Sequence, residues 1–131
     1  MQYSIALDLQ ERMCEIVRRL EFTHIDCNRV VCLRSVGSKT KRVIARCHAL
    51  PKVMQMAMEV KAWYAIEFLE HFEKLSEADQ DMTIIHELMH IPKSFSGALV
   101  PHRGAYRRQQ VHAQKVNQLF KEFQKNLKLS S

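Results

Sequence analysis

His86, Glu87 and His90 lie in the run TIIHELMHIP, residues 83–92, and their types and spacing suit metal-assisted hydrolysis. On a helix, residues four apart project from one face, so both imidazoles can reach a single tetrahedral zinc ion. Glu87, beside the first imidazole, can face a metal-polarised water without entering the coordination sphere. That is the general-base position of the H-E-x-x-H pattern. Uncharged Leu88 and Met89 fill the middle of the motif, and Ile84, Ile85 and Ile91 flank it. Histidines that merely decorate a surface helix would more often have charged neighbours.

A catalytic zinc needs a third protein ligand and an open position for water. His102 is the first candidate, because Gly97 and Pro101 mark a loop that can fold back beneath the motif. His112 is the alternative, read first as a polar residue of the last helix. Glu122 is the only acid after Glu87, which disfavours a carboxylate as third ligand. His24, Cys27, Cys32, Cys47 and His48 form a second group with metal-binding side chains. Their spacing matches no common zinc module, and they are read as core residues.

The elements that must position these residues follow from periodicity and punctuation. Ser76 followed by Asp79 resembles a capping box and predicts a helix over 77–91, with Met82, Ile85, Leu88 and Met89 as its buried stripe. Pro92 disfavours helical geometry at Ile91 and should end it. Leu9, Met13, Ile16, Val17 and Leu20 recur at spacings of three and four, so the first twenty residues read as an amphipathic helix. RVVCLRS (29–35) and RVIARCH (42–48), separated by VGSKTK, predict a β-hairpin with a basic tip. LPKVMQMAMEV reads as a short helix after Pro51, and AWYAIEFL (62–69) as a third, largely buried strand. Glu67 within that strand suits either a surface-facing or a functional position. From Gly104 a long helix is expected, with Val116, Leu119, Phe120, Phe123 and Leu127 on one face.

The 131 residues suit one domain spanning 1–131. No apolar run reaches bilayer-spanning length and no signal-peptide core opens the chain, so an intracellular, cytoplasmic protein with no membrane partner is expected. Cys14, Cys27, Cys32 and Cys47 form no CxxC pair, and free thiols are expected. The net charge of +6 is segregated. Residues 28–52 carry seven Lys or Arg and no acid, residues 66–99 two bases against seven acids, and residues 100–131 seven bases against one acid. The two basic segments suit a nucleic-acid partner or a solvated face. Arg34, Lys39, Lys41 and Arg42 near the hairpin tip, with Arg103, Arg107 and Arg108 near the motif, would make the contacts.

The run WYAIEFLEHFEKLSEADQDMTIIHELMHIPKSFSGALVPH, with RVVCLRSVGSKTKRVIARCHALPKV upstream, resembles the phage metallopeptidase family of phages and archaea, a relative of the SprT-like zinc peptidases. HELMHIP and PHRGAY are the most specific parts. In SprT-like proteins the third histidine comes shortly before an aromatic residue at a helix start, and His102 and Tyr106 are similar to that arrangement. Gly104 stands one place later than the usual glycine there, and the gap from His90 to His102 is shorter than is typical. The resemblance implies an α+β, zincin-like domain with a short antiparallel sheet packed on the motif helix. Three strands are expected here, with an N-terminal helix and a long C-terminal helix.

These readings converge on a zinc peptidase in which Glu87 acts as general base and His86, His90 and His102 bind the ion. Tyr106 is either a hydrogen-bond donor to the oxyanion or a buried aromatic at a helix start. The substrate would be a protein or peptide, with nucleic acid as a recruiting partner. The rival reading is a non-catalytic zinc-containing module that binds nucleic acid or protein, its ion closed by four protein ligands.

Overall fold

The strand- and helix-forming segments fold into a mixed α+β arrangement, seen in a computed structural model that describes residues 1–40, 42–101 and 113–129. The strands are β1 (Gln2–Ile5), β2 (Val30–Val36), β3 (Ala45–Ala49) and β4 (Tyr64–Phe68). The helices are α1 (Leu7–Arg19), α2 (Lys52–Met58), α3 (Glu77–Leu88) and α4 (Ala113–Leu129).

The sheet corrects the expectation of three antiparallel strands. Among the described residues four strands lie in the order β1-β2-β4-β3. β1 runs antiparallel to β2, β2 parallel to β4, and β3 antiparallel to β4. The segments expected to form a hairpin are both strands, but β4 lies between them: Ile66 is opposite Cys32 on one side and Cys47 on the other. The physical reason lies in β4 itself. Tyr64, Ile66, Glu67 and Phe68 are all buried, and an edge strand cannot bury its backbone and both faces this fully. The connection from β2 to β3 leaves through Gly37, whose φ of +94° is left-handed. Its length suffices to cross the width of the intervening strand, about 5 Å per strand spacing. β3 and α2 together supply the long crossover that a parallel β2–β4 pair requires.

The first residues also differ from expectation. Gln2–Ile5 pair with β2 instead of starting the helix, and the Ala6 N–H donates to the Cys32 carbonyl at 3.0 Å before α1 begins. Within α1, Leu9, Met13, Ile16 and Val17 are buried, as their spacing predicts. Gln10 fastens α1 to β2: its amide donates to the Val30 carbonyl at 2.7 Å and to the Cys27 carbonyl at 3.1 Å, and accepts from the Cys32 N–H at 2.8 Å. Arg12 ties α1 to α3 through Asp81 at 2.7 Å and Gln80 at 2.8 Å.

Helices α1, α3 and α4 pack on one another, with α1 against β2 and α3 against β3. Val116, Leu119 and Phe123 of α4 complete the core, while Leu127 is exposed. The four cysteines are free thiols. Cys32 is buried and Cys27 and Cys47 half-buried, but His48 is exposed and so is not the core residue its sequence suggested. Among the described residues no helix is long and apolar enough to cross a membrane.

Candidate metal centre

Helix α3 starts as its cap predicts: the Ser76 hydroxyl accepts from the Asp79 N–H at 3.2 Å. Its end is tighter than expected. The α-helix stops at Leu88, and the His90 and Ile91 amides then donate three residues back, to Glu87 and Leu88, both at 3.1 Å. Pro92 disfavours helical geometry at Ile91, so the last turn contracts to this 3₁₀ form. His90 therefore occupies a turn bent out of the α-helical line.

His86 and His90 nevertheless meet, with ring centroids 5.1 Å apart and planes at 72°. One nitrogen from each, with a Glu87 carboxylate oxygen, fall within 4.8 Å of one another. The His86 Nε2 lies 3.8 Å from Glu87 Oε2. Two imidazoles are donors of the kind that suit a borderline-soft divalent ion such as zinc, and the carboxylate lies close enough to face a water beside it. The fit is strengthened by His90, whose Nδ1–H donates to the Val100 carbonyl at 2.6 Å. A carbonyl can only accept, so that bond fixes the tautomer and leaves Nε2 with its lone pair. Metal-binding histidines usually carry such a bond on the second ring nitrogen.

Glu87 is buried, and the cost of desolvating its charge raises the carboxyl to about 7. The opposing influence is a hydrogen bond accepted from the backbone of Cys47. Strand geometry explains that bond. The Leu50 N–H donates to Trp63 and the Leu69 N–H to Ile44, so residues 44, 46, 48 and 50 turn their backbone groups toward β4. In an antiparallel pair the intervening residues turn theirs away. Cys47 thus points its N–H off the outer edge of the sheet, toward the motif helix. The cleft formed there measures about 1460 Å³, and Ile44, Cys47, Met82, Leu99 and Val116 are among its wall residues.

The sequence brought forward His86, Glu87 and His90, and these are the residues that come together. His102, Tyr106 and His112 lie outside the described residues, as do Lys41, Arg103, Arg107 and Arg108. Arg34, read as a nucleic-acid contact, is paired in the structure with both oxygens of Asp8 at 2.7 Å and with Glu73 at 2.6 Å. Its guanidinium holds the Asp8 carboxyl down at about 2. Lys39 and Arg42 are exposed. The Val100 carbonyl and the Cys47 amide escaped sequence reading, since backbone groups carry no residue-type signal.

A histidine pair and a buried carboxylate thus come together at the end of a helix, against a sheet edge. Residues 1–124 match the model of the family described as "Putative phage metallopeptidase", and the chain belongs to that family. Comparisons with curated proteins and with solved structures found no match.

Proposed function

We propose that this protein is a zinc-dependent peptidase built on a single zincin-like domain related to the SprT-like enzymes. His86 and His90 would hold the ion, and His102 would supply the third nitrogen, with His112 as the alternative. When bound, zinc supplies Lewis acidity, acidifying a water and polarising the scissile carbonyl. Glu87 takes the proton of the attacking water and passes it to the departing amine. Burial leaves this carboxylate poorly solvated, which favours its taking up a proton from a neighbouring water. Tyr106 is the candidate donor to the carbonyl oxygen as it gains charge.

The convergence of the two imidazoles and the Glu87 carboxylate carries this reading. The outer edge of β3 supports it further, because Ala45 and Ala49, on either side of the Cys47 amide that Glu87 engages, turn backbone groups outward where an extended peptide can pair. A substrate strand added there lies beside Glu87. Arg42 lines the same cleft, and with exposed Lys39 three residues before it makes that end of the molecule basic. This fits protein substrates held on nucleic acid in the cytoplasm.

The test is zinc content and cleavage of an unfolded protein by the wild type and by Glu87→Gln, each with and without DNA. Stoichiometric zinc in both, with cleavage by the wild type alone, supports the peptidase. Stoichiometric zinc with no cleavage by either would favour a non-catalytic binding module. Equal cleavage by both would remove Glu87 from the reaction.

A further inference from the structure

Tyr64 is buried in the central strand β4, yet its hydroxyl bonds to a loop and not to the sheet. The hydroxyl donates to the Ala98 carbonyl at 2.9 Å and accepts from the Gly97 N–H at 2.9 Å. Both bonds fall inside the segment that leaves His90 and returns at Val100. That return is closed by two bonds of its own: the Val100 N–H donates to the His90 carbonyl at 2.7 Å, and the His90 Nδ1–H donates to the Val100 carbonyl at 2.6 Å. The segment is thus a closed loop whose ends meet at a candidate metal ligand and whose middle is bonded to the Tyr64 phenol.

The neighbours of Tyr64 fit the same purpose. Phe95, held at a left-handed φ of +46°, packs edge-on against the Tyr64 ring at 5.0 Å, and the Arg29 guanidinium lies over the Phe95 ring, 4.9 Å from its centroid. Gln55 of α2 donates to the Leu50 carbonyl at 2.9 Å and reaches the Ser96 carbonyl at 3.4 Å. Gly97 fits into this clamp because it has no side chain. Its φ is +98°, and a Cβ there would stand 2.3 Å from the Gln55 amide nitrogen and 3.2 Å from the Leu50 carbonyl. This also gives α2 a role, although none of its residues is buried.

From this geometry we infer that Tyr64 is a positioning residue for the metal centre: through Gly97 and Ala98 it places the Val100 carbonyl that fixes the tautomer and aim of His90. The inference rests on the proposed metal site but acts one step behind it. Groups that orient a ligating histidine typically change metal affinity by about 10–100-fold, and Tyr64, acting through the loop, is expected near the lower end of that range.

The decisive variants are Tyr64→Phe, which keeps the ring and deletes both bonds, and Gly97→Ala, which breaks the clamp from the other side. Ile16→Val in α1 serves as a control for general loosening of the core. Two measurements are made on each. One is the His90 tautomer in metal-free protein, from long-range ¹⁵N–¹H couplings of the ring, and the other is zinc affinity by competition with a chromophoric chelator. The expected result is a single Nδ1–H tautomer in the wild type and the control, a mixture in both clamp variants, and zinc affinity weakened about tenfold in the variants alone. A folded Tyr64→Phe protein with the wild-type tautomer and affinity would overturn the inference. Absence of zinc binding by the wild type would instead sink the metal reading, and the tautomer measurement would still decide the role of Tyr64.

Discussion

His90 and Val100 hold each other by two hydrogen bonds, ring Nδ1 to carbonyl at 2.6 Å and amide to carbonyl at 2.7 Å. The arrangement leaves the Nε2 of His90 as its only ring nitrogen able to bind a metal. His86 is half-buried, whereas His90 is buried and its ring bond helps close the loop to Val100. His86→Ala should therefore stay folded, His90→Ala should lose some stability with the loop contact, and each should lose zinc affinity by at least about a hundredfold as a proposed ligand is removed. Chelator competition alongside far-UV circular dichroism checks both halves of that expectation.

The buried Glu87 carboxyl makes a pH-dependent contribution in metal-free protein. Its pKa rises from 4.5 to about 7 on folding, so between those values the folded state binds more protons than the unfolded. Stability should then fall as pH rises through this window and level off above it. The full effect is on the order of 3 kcal/mol. Glu87→Gln should flatten this part of the profile and make the metal-free protein more stable than wild type near pH 8 by roughly the same amount. Denaturant titrations across the range, with chelator present, provide the test. A wild-type profile that rises through the window would contradict the burial argument.

Glu67 shows the opposite balance. Burial alone would raise its pKa, but hydrogen bonds from Ser35 at 2.6 Å and His48 at 2.8 Å, with the charges of His48 and Arg46, hold it below the ordinary 4.5. Its contribution is present above that value and disappears as pH falls below it. Glu67→Ala strands the buried Ser35 hydroxyl and cuts His48 loose, and should cost about 2–4 kcal/mol at neutral pH. The gap between variant and wild type should narrow in acid. Equal gaps at about pH 7 and pH 3 would show that lost packing, not the ionised network, sets the cost.

The basic end of the cleft offers a test of nucleic-acid recruitment. Lys39→Glu with Arg42→Glu reverses two exposed charges beside β3. DNA binding should weaken, and its salt dependence should become shallower in proportion to the phosphates that the variant no longer neutralises. Fluorescence anisotropy at several salt concentrations measures both. Binding indifferent to salt in the wild type would rule out phosphate neutralisation as its basis.

Much of the site was legible because its signals are local. The Ser76 cap, the apolar stripe of α3 and the His-Glu-His spacing all lie within one short stretch of chain, and the structure keeps them together. Strand pairing was not legible. RVVCLRS and RVIARCH each read as strands, but which strand lies beside them depends on β4, whose claim to the centre rests on burying both faces. Glu67 could not be placed for the same reason. A carboxylate in an apolar strand suits either a surface-facing or a functional position, and what holds it in the interior, Ser35 and His48, comes from two other strands. Gln2–Ile5 was absorbed into the helix that follows because a four-residue strand has too short a period to compete with α1.

The most direct test of the central claim is a crystal of the zinc-loaded protein with diffraction recorded on both sides of the zinc absorption edge. The expected result is one anomalous peak within about 2.1 Å of a ring nitrogen of His86 and of the His90 Nε2, with Glu87 outside the coordination sphere and one position left to solvent. A peak elsewhere, or an ion closed off by four protein ligands, would contradict it.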